Sequence, residues 1–258
     1  MGNEFAAVQA VWLREFKVFQ REKSRVVSSV VSPLFWLVLF GAGLGGFVEG
    51  LPAGLTYTAF IFPGLLFMTV LFSSMFFGMY IVWDRKLDFL KEVLAAPVSR
   101  PSIFLGKVLG GTTDALAQSL LLILLGALVL PFLSPGFPGL SPVGMLLSLP
   151  VIFLIAVSIA SLGLGIGTMF ESFEGFQVVV SFVIFPLFFL SGALYPLTGL
   201  PSWLTVVTTV NPLSYAVDLL RYLLLGAGTV NPLFSFGMLV GFTALMLGFG
   251  TFMFQRMK

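Results

Sequence analysis

The stretch WDRKLDFLKEVLAAPVSRPSIFLGK, residues 83–107, carries five of the 13 Lys and Arg in a 258-residue chain of which only 9% is charged. Runs of Leu, Phe, Val and Gly flank it on both sides. It is a polar island between greasy segments, and the length of those segments decides the fold. Several reach the roughly 20 residues that cross about 30 Å of hydrocarbon. Hydrophobic residues make up 58% of the chain and mean hydropathy is +1.08, with 30 Phe. A soluble globule of this composition would lack polar surface to face water. The apolar runs are continuous rather than alternating, which excludes a membrane β-barrel. The expected class is all-α: one polytopic membrane domain over residues 1–258.

The hydropathy pattern predicts six spans, at about 26–48, 57–82, 112–130, 143–169, 176–194 and 232–254. Basic residues in short loops set orientation. Arg14, Lys17, Arg21, Lys23 and Arg25 precede the first span. Arg85, Lys86, Lys91, Arg100 and Lys107 occupy the island, and Arg256 and Lys258 follow the last span. An even number of spans puts these three regions on one side, which is then cytoplasmic; Arg221 alone lies opposite. The chain is thus expected in the cytoplasmic (inner) cell membrane, multi-pass, with both termini in the cytoplasm. The first 25 residues lack the short apolar core of a cleavable signal peptide, so none is expected.

Residues 1–25 instead form an amphipathic pattern. Phe5, Val8, Trp12, Phe16 and Phe19 share one helical face, and Arg14, Lys17 and Arg21 oppose them, which suits a helix lying at the membrane surface. Residues 195–231 are too apolar for a free loop and too broken by Pro196, Pro201 and Pro212 for a span. Short helices re-entering from the outer side fit them. Pro212 disfavours α conformation at Asn211, so a hinge is expected there. Asp218 and Arg221, three apart on one face, are placed to pair.

Several chemistries are excluded. With no Cys and no His, the chain has no thiolate, no imidazole base and neither of the usual transition-metal ligands. FLGKVLGG lacks the Gly spacing and the Ser or Thr of a phosphate-binding loop. Ser158 and Ser161 have no base to activate them as nucleophiles. Asp114 alone among the acids approaches a span, and its expected place is the cytoplasmic end of the third helix. No mid-membrane charge offers an ion-coupled engine. A net charge of +2 is no nucleic-acid signature.

Three landmarks then carry a resemblance. Asp84, Arg85, Leu87, Leu90, Leu94, Pro97, Val98, Ser99, Arg100 and Lys107 match the first cytoplasmic loop of membrane (permease) subunits of type-2 ATP-binding-cassette (ABC) exporters. NPLSYAVDLLRYLLLG, residues 211–226, resembles the signature before that family's last span, with Asn211, Pro212, Tyr215, Asp218 and Arg221 in its positions. FFLSGALYPLTGLPSWL, residues 188–204, fits the broken helices preceding it. Lys86 and Asp88 depart from the pattern, standing where many relatives have Glu and Gly.

The resemblance implies a transport subunit without its own nucleotide site. ATP and Mg would belong to a separate ABC ATP-binding subunit, and two permeases and two ATPases would assemble in membrane lipid. It makes residues 83–107 the ATPase-coupling region, with Asp84, Arg85, Leu87, Leu90, Glu92, Leu94, Pro97 and Arg100 as its contact residues. It places the first, second and fifth spans along the substrate pathway, with Phe72, Phe76, Gln177, Ser181 and Phe185 as candidates. It makes residues 195–231 an extracellular gate. An uncharged, Phe-rich route suits a lipophilic or amphipathic cargo, drug or lipid-like, better than a polysaccharide or glycolipid. The rival outside this class is an ion-coupled secondary transporter.

Overall fold

Ser, Thr or Asn ahead of an apolar run, often with Pro following, marks most helix starts in this chain. Such side chains accept a first-turn N–H, and Pro at the first helical positions gives up a donor that has no partner there anyway. The computed structural model, which describes residues 4–52, 54–87, 93 and 95–257, shows this chemistry in place. Thr56, Ser99, Ser141, Ser172, Asn211 and Asn231 each cap the helix that follows them through the side chain.

The elements are α1 (Glu4–Arg21), α2 (Lys23–Leu44), α3 (Tyr57–Phe76), α4 (Met79–Lys86), α5 (Arg100–Leu133) and α6 (Pro142–Gly167). Beyond them come α7 (Phe173–Val179), a π-helical turn (Val180–Ile184), α8 (Phe185–Phe189), α9 (Ser202–Val210), α10 (Pro212–Leu225) and α11 (Pro232–Arg256). No strand occurs among the described residues. Five helical stretches are long and apolar enough to cross a membrane: Val27–Leu44, Tyr57–Lys86, Arg100–Leu133, Pro142–Gly167 and Pro232–Arg256. The protein is an all-α polytopic membrane protein.

Three spans differ from the hydropathy reading. The third is not a separate helix of 112–130. It continues the second helix of the island, because nothing between Ile103 and Thr112 breaks it, and α5 runs 34 residues unbroken. At 1.5 Å per residue that is about 51 Å, well beyond the hydrocarbon. Asp114 therefore sits within a long helix, buried against its neighbours, rather than at a helix end. The second span breaks at Phe77–Gly78 before α4 resumes. The fifth is shorter than 176–194: helix covers Phe173–Phe189, about 25 Å of rise, and a turn follows. Pro186 explains the π-turn just before it. Proline lacks an N–H and crowds the carbonyl a turn back, and the widened turn, with Phe185 N bonded to Val180 O, makes room.

Contacts sort the element ends into two groups. At the terminal end, Glu4 meets Ser99, Arg100 meets the carbonyls of Gln255 and Met257, and Arg85 meets those of Thr168 and Phe170. At the distal end, Thr56 meets Ser134, Tyr57 meets Leu194 O, and Ser141 N meets Leu224 O. The segment Phe173–Phe189 starts beside Trp83 at the terminal end and leads to Ala193 and Leu194 at the distal end.

The centre of the bundle is α3, with buried residues all round: Leu65, Leu66, Phe67, Val70, Leu71 and Met75 are each at most 1% exposed. A helix apolar on every side belongs inside a bundle. Among membrane helices there is little hydrophobic drive, so close approach through small residues takes its place. Gly64 lies under the Ala193 carbonyl, Gly78 against Gly163 and Gly167, and Gly144 under the Leu223 carbonyl. Gly163 and Gly167 therefore pack within the subunit. Gly41 packs on Thr58 of the same chain.

We predict that Gly64→Ala lowers thermal stability in detergent, since its methyl meets backbone and overpacking costs roughly 1–3 kcal/mol. Gly241→Ala, where nothing lies within 4 Å, is expected to be neutral or stabilising by up to about 1 kcal/mol from helix propensity. Equal melting shifts for both would remove close backbone approach as the organising contact.

Candidate transport pathway and coupling face

Ionic contacts at the terminal end begin with a buried lysine. Lys107 on α5 is 1% exposed, and its Nζ lies 2.5 Å from Asp84 Oδ2 and 3.3 Å from Glu15 Oε1. Arg14 closes the group, 2.8 Å from Glu15 and 3.4 Å from Asp84. Among the described residues two cations face two carboxylates, and this quartet joins α1, α4 and α5.

The same helices interlock sterically. Gly106 and Gly110, one turn apart on α5, form a groove that seats Val11 and Glu15 of α1. Trp12 Nε1 donates to Thr113 Oγ1 at 2.9 Å. The side of α1 that meets α5 carries Val8, Val11, Trp12 and Glu15, while Phe5, on the face expected at the membrane surface, is 75% exposed. At the start of α1, Glu4 accepts from Ser99 N and Oγ, at 3.2 and 2.8 Å. Hydrogen bonds from Ser102 and then Ser99 hold the exposed Glu4 carboxyl below its usual range.

These contacts decide what each coupling candidate does inside the subunit. Asp84 is buried in the quartet. Arg85 donates to Thr168 O and Phe170 O, at 3.0 and 3.2 Å, capping the C-terminal end of α6, where orphan carbonyls welcome a cation. Arg100 donates to Gln255 O and Met257 O, both at 2.7 Å, and so ties the end of α11 to the start of α5. Lys86 lies 4.2 Å over the Phe173 ring. Leu87 and Pro97 are exposed. Asp88, Leu90, Glu92 and Leu94 lie outside the described residues.

Above the quartet opens a cavity of about 820 Å³ between α1, α2, α3 and α4. Its mouth carries Arg14, Glu22 and Asp84, with Tyr80 donating to Glu22. Its walls are Met68, Phe72, Phe76, Met79 and Trp83, opposite Ser28, Ser29 and Ser32 of α2. Gln118 lines it from α5, 1% exposed, and neither Gln118 Nε2 nor Ser73 Oγ has a hydrogen-bond partner. Phe72 and Phe76 therefore line a cavity together, and sequence reasoning missed the serine face of α2 and Gln118 that complete it. Phe185 joins them through its ring, 4.9 Å from Phe72. Gln177 and Ser181 are not brought there; both are exposed.

At the distal end the chain turns at Asn211, whose extended backbone (ψ 111) separates α9 from α10. Pro212 opens α10, Asn211 Nδ2 donates to Leu187 O, and Tyr215 OH donates to Thr209 O. The expected Asp218–Arg221 pair is corrected. No ion pair within 4.0 Å joins them; Asp218 accepts from Thr229 N, Thr229 Oγ1 and Val230 N, at 2.8, 2.8 and 3.0 Å. Three donors from the loop outcompete one guanidinium three residues along. Arg221 Nη2 donates to Gly192 O at 2.7 Å, and the guanidinium lies 3.9 Å over the Phe60 ring. Burial pushes the Arg221 pKa down to about 10, opposed by the Asp218 charge, so it stays protonated at neutral pH.

Comparison with known proteins fits this geometry. A family model described as ABC-2 type transporter matches residues 6–225, and the chain belongs to that family. It is 29% identical over 245 residues to the inner membrane transport permease YadH of Escherichia coli K12, covering 92% of this chain and 90% of the relative. It is similar to nodulation protein J of Rhizobium meliloti, 29% identical over 235 residues, 90% and 85% of the two chains. A putative transport permease, ycf38, of Porphyra purpurea is 28% identical over 222 residues, 84% and 73% of the two chains. The protein is a transport permease, and its family implies a partner ATP-binding subunit.

Removing one partner of a buried charge group strands the others, at about 3–5 kcal/mol. Lys107→Met is therefore expected to lower thermal stability sharply, and Lys107→Met with Glu15→Gln and Asp84→Asn to recover much of the loss. A single Lys107→Met that melts like the wild type would show the quartet to be dispensable.

Proposed function

We propose that this permease exports a lipophilic or amphipathic molecule, drug or lipid-like, across the cytoplasmic membrane, driven by a separate ATP-hydrolysing subunit. The observation that carries the substrate class is the 820 Å³ cavity. That volume falls within the roughly 300–1,000 Å³ of small-molecule sites. Met and Phe walls with a few polar groups suit a molecule that is mostly apolar with one or two hydrogen-bonding functions. A polysaccharide would need a continuous hydroxyl-rich path, whereas the cavity wall at Phe72 continues into a cluster of Phe67, Phe185 and Phe188 rings.

The terminal end is then cytoplasmic, as the Lys and Arg bias argues, and Phe173–Phe189 is a sixth, short crossing. The exposed Leu87 and the turn at Pro97 form the face offered to the ATPase, while Asp84, Arg85 and Arg100 anchor that face from behind. A second copy of the chain completes the transporter, and ATP and Mg bind in the partner. The exposed segment with Gln177, Ser181 and Phe185 turns toward that second copy, and α9 and α10 close the outer end.

The test is reconstitution with the ATPase in lipid vesicles. Gln118→Trp and Ser73→Trp fill the cavity and are expected to abolish stimulation of ATP hydrolysis by lipophilic compounds. Phe153→Trp, on the exposed side of α6, should keep it. Stimulation that survives both cavity fillings would sink the small-molecule reading.

A further inference from the structure

The distal end holds a second, smaller pocket of about 260 Å³, and its chemistry is lopsided. Asp218 and Arg221 both line it and both are buried, at 7% and 6% exposure. Asp218 accepts three hydrogen bonds, two on one oxygen and one on the other, out of about four that a carboxylate can take. Arg221 has five N–H donors, yet its one hydrogen bond among the described residues runs from Nη2 to Gly192 O. Its Nε is buried with no acceptor. A buried charged donor left unmet is expensive. The nearby hydroxyls of Ser191, Thr205, Thr208, Thr209 and Ser214 donate to backbone carbonyls, and none of them accepts from the Arg221 Nε. The Asp218 carboxylate is thus mostly hydrogen-bonded, whereas the Arg221 guanidinium keeps donors for an incoming oxyanion.

A second observation says what brings that oxyanion. Helix α9 has two faces. Thr205, Thr208 and Thr209 line the pocket, while Trp203, Val206 and Val210, on the opposite side, are 67%, 63% and 73% exposed. The helix is thus amphipathic beside the pocket, with a Trp of the kind that settles at the membrane–water boundary. Acyl chains suit the Trp and Val face, and a headgroup suits the Arg pocket behind it.

We propose that the Arg221 pocket binds the phosphate group of a membrane phospholipid, whose acyl chains lie along the apolar face of α9. Arginine is suited to this because its planar fork matches phosphate geometry. The lipid then props α9 and α10 at the outer mouth, and the pocket is separate from the cavity at the cytoplasmic end. The proposal takes the outward placement of the distal end from the reading above. Labelling from one side of intact cells tests that placement independently.

The chain has no cysteine, so Thr205→Cys gives a single reporter at the pocket wall, already exposed to solvent. In detergent, phosphatidylglycerol is expected to slow its modification by a charged thiol reagent about tenfold. Diacylglycerol with the same chains should do little, and adding Arg221→Met should erase the protection. Protection by inorganic phosphate alone, as strong as by the lipid, would keep the oxyanion site and remove the lipid as its source. No protection by either probe in Thr205→Cys overturns the proposal whether or not Arg221→Met folds. So does equal protection in both proteins.

Discussion

Lys107 stands where an ammonium is hardest to keep, 1% exposed, and it is tolerated because two carboxylates from distant parts of the chain converge on it. A buried ion group of this kind adds little net stability compared with apolar packing, but its geometry is demanding, since any lost partner strands the rest. Here it fixes one arrangement of α1, α4 and α5. The glycine groove on α5 lets α1 close enough for Glu15 to reach. The rest of the terminal end is referred to this joint: Arg85 fastens α4 to α6, and Arg100 fastens α5 to α11.

That arrangement divides labour within the charged island. Among its described residues, Asp84, Arg85, Arg100 and Lys107 are engaged inside the subunit, and Leu87 and Pro97 are exposed. Short ionic and hydrogen-bonded contacts join this end of the chain to α5, α6 and α11, and α5 continues unbroken for 34 residues. The cavity shares Arg14, Glu15 and Asp84 with the quartet, so the joint and the chamber are built from the same side chains.

The distal end follows a different physical rule. Charges there are not balanced against each other; Asp218 is absorbed by backbone and hydroxyl donors of the following loop, and Arg221 by a carbonyl and an aromatic ring. Two ionisable groups three residues apart thereby acquire different degrees of hydrogen bonding, which leaves donor capacity in a pocket beside a helix with an exposed apolar face.

Much of this was written locally in the chain. Apolar runs of spanning length, Ser-Pro and Asn-Pro helix starts, and a clustering of Lys and Arg are properties of neighbouring residues, so class, helix positions and the hinge at Asn211 could be read without coordinates. The extent of the fifth span and the continuity of α5 were less legible, because one depends on how a π-turn absorbs Pro186 and the other on whether glycines find partners. What only the tertiary structure decided are the partnerships. Glu15 and Lys107 are 92 residues apart, and nothing in the periodicity of α1 marks a glutamate as its most buried residue. Asp218 and Arg221 looked like a pair by spacing and are not one, because the loop after them supplies better donors. Composition and period set what each segment must be; which charge meets which is settled by packing, since a buried charge takes the nearest partner in space rather than in sequence.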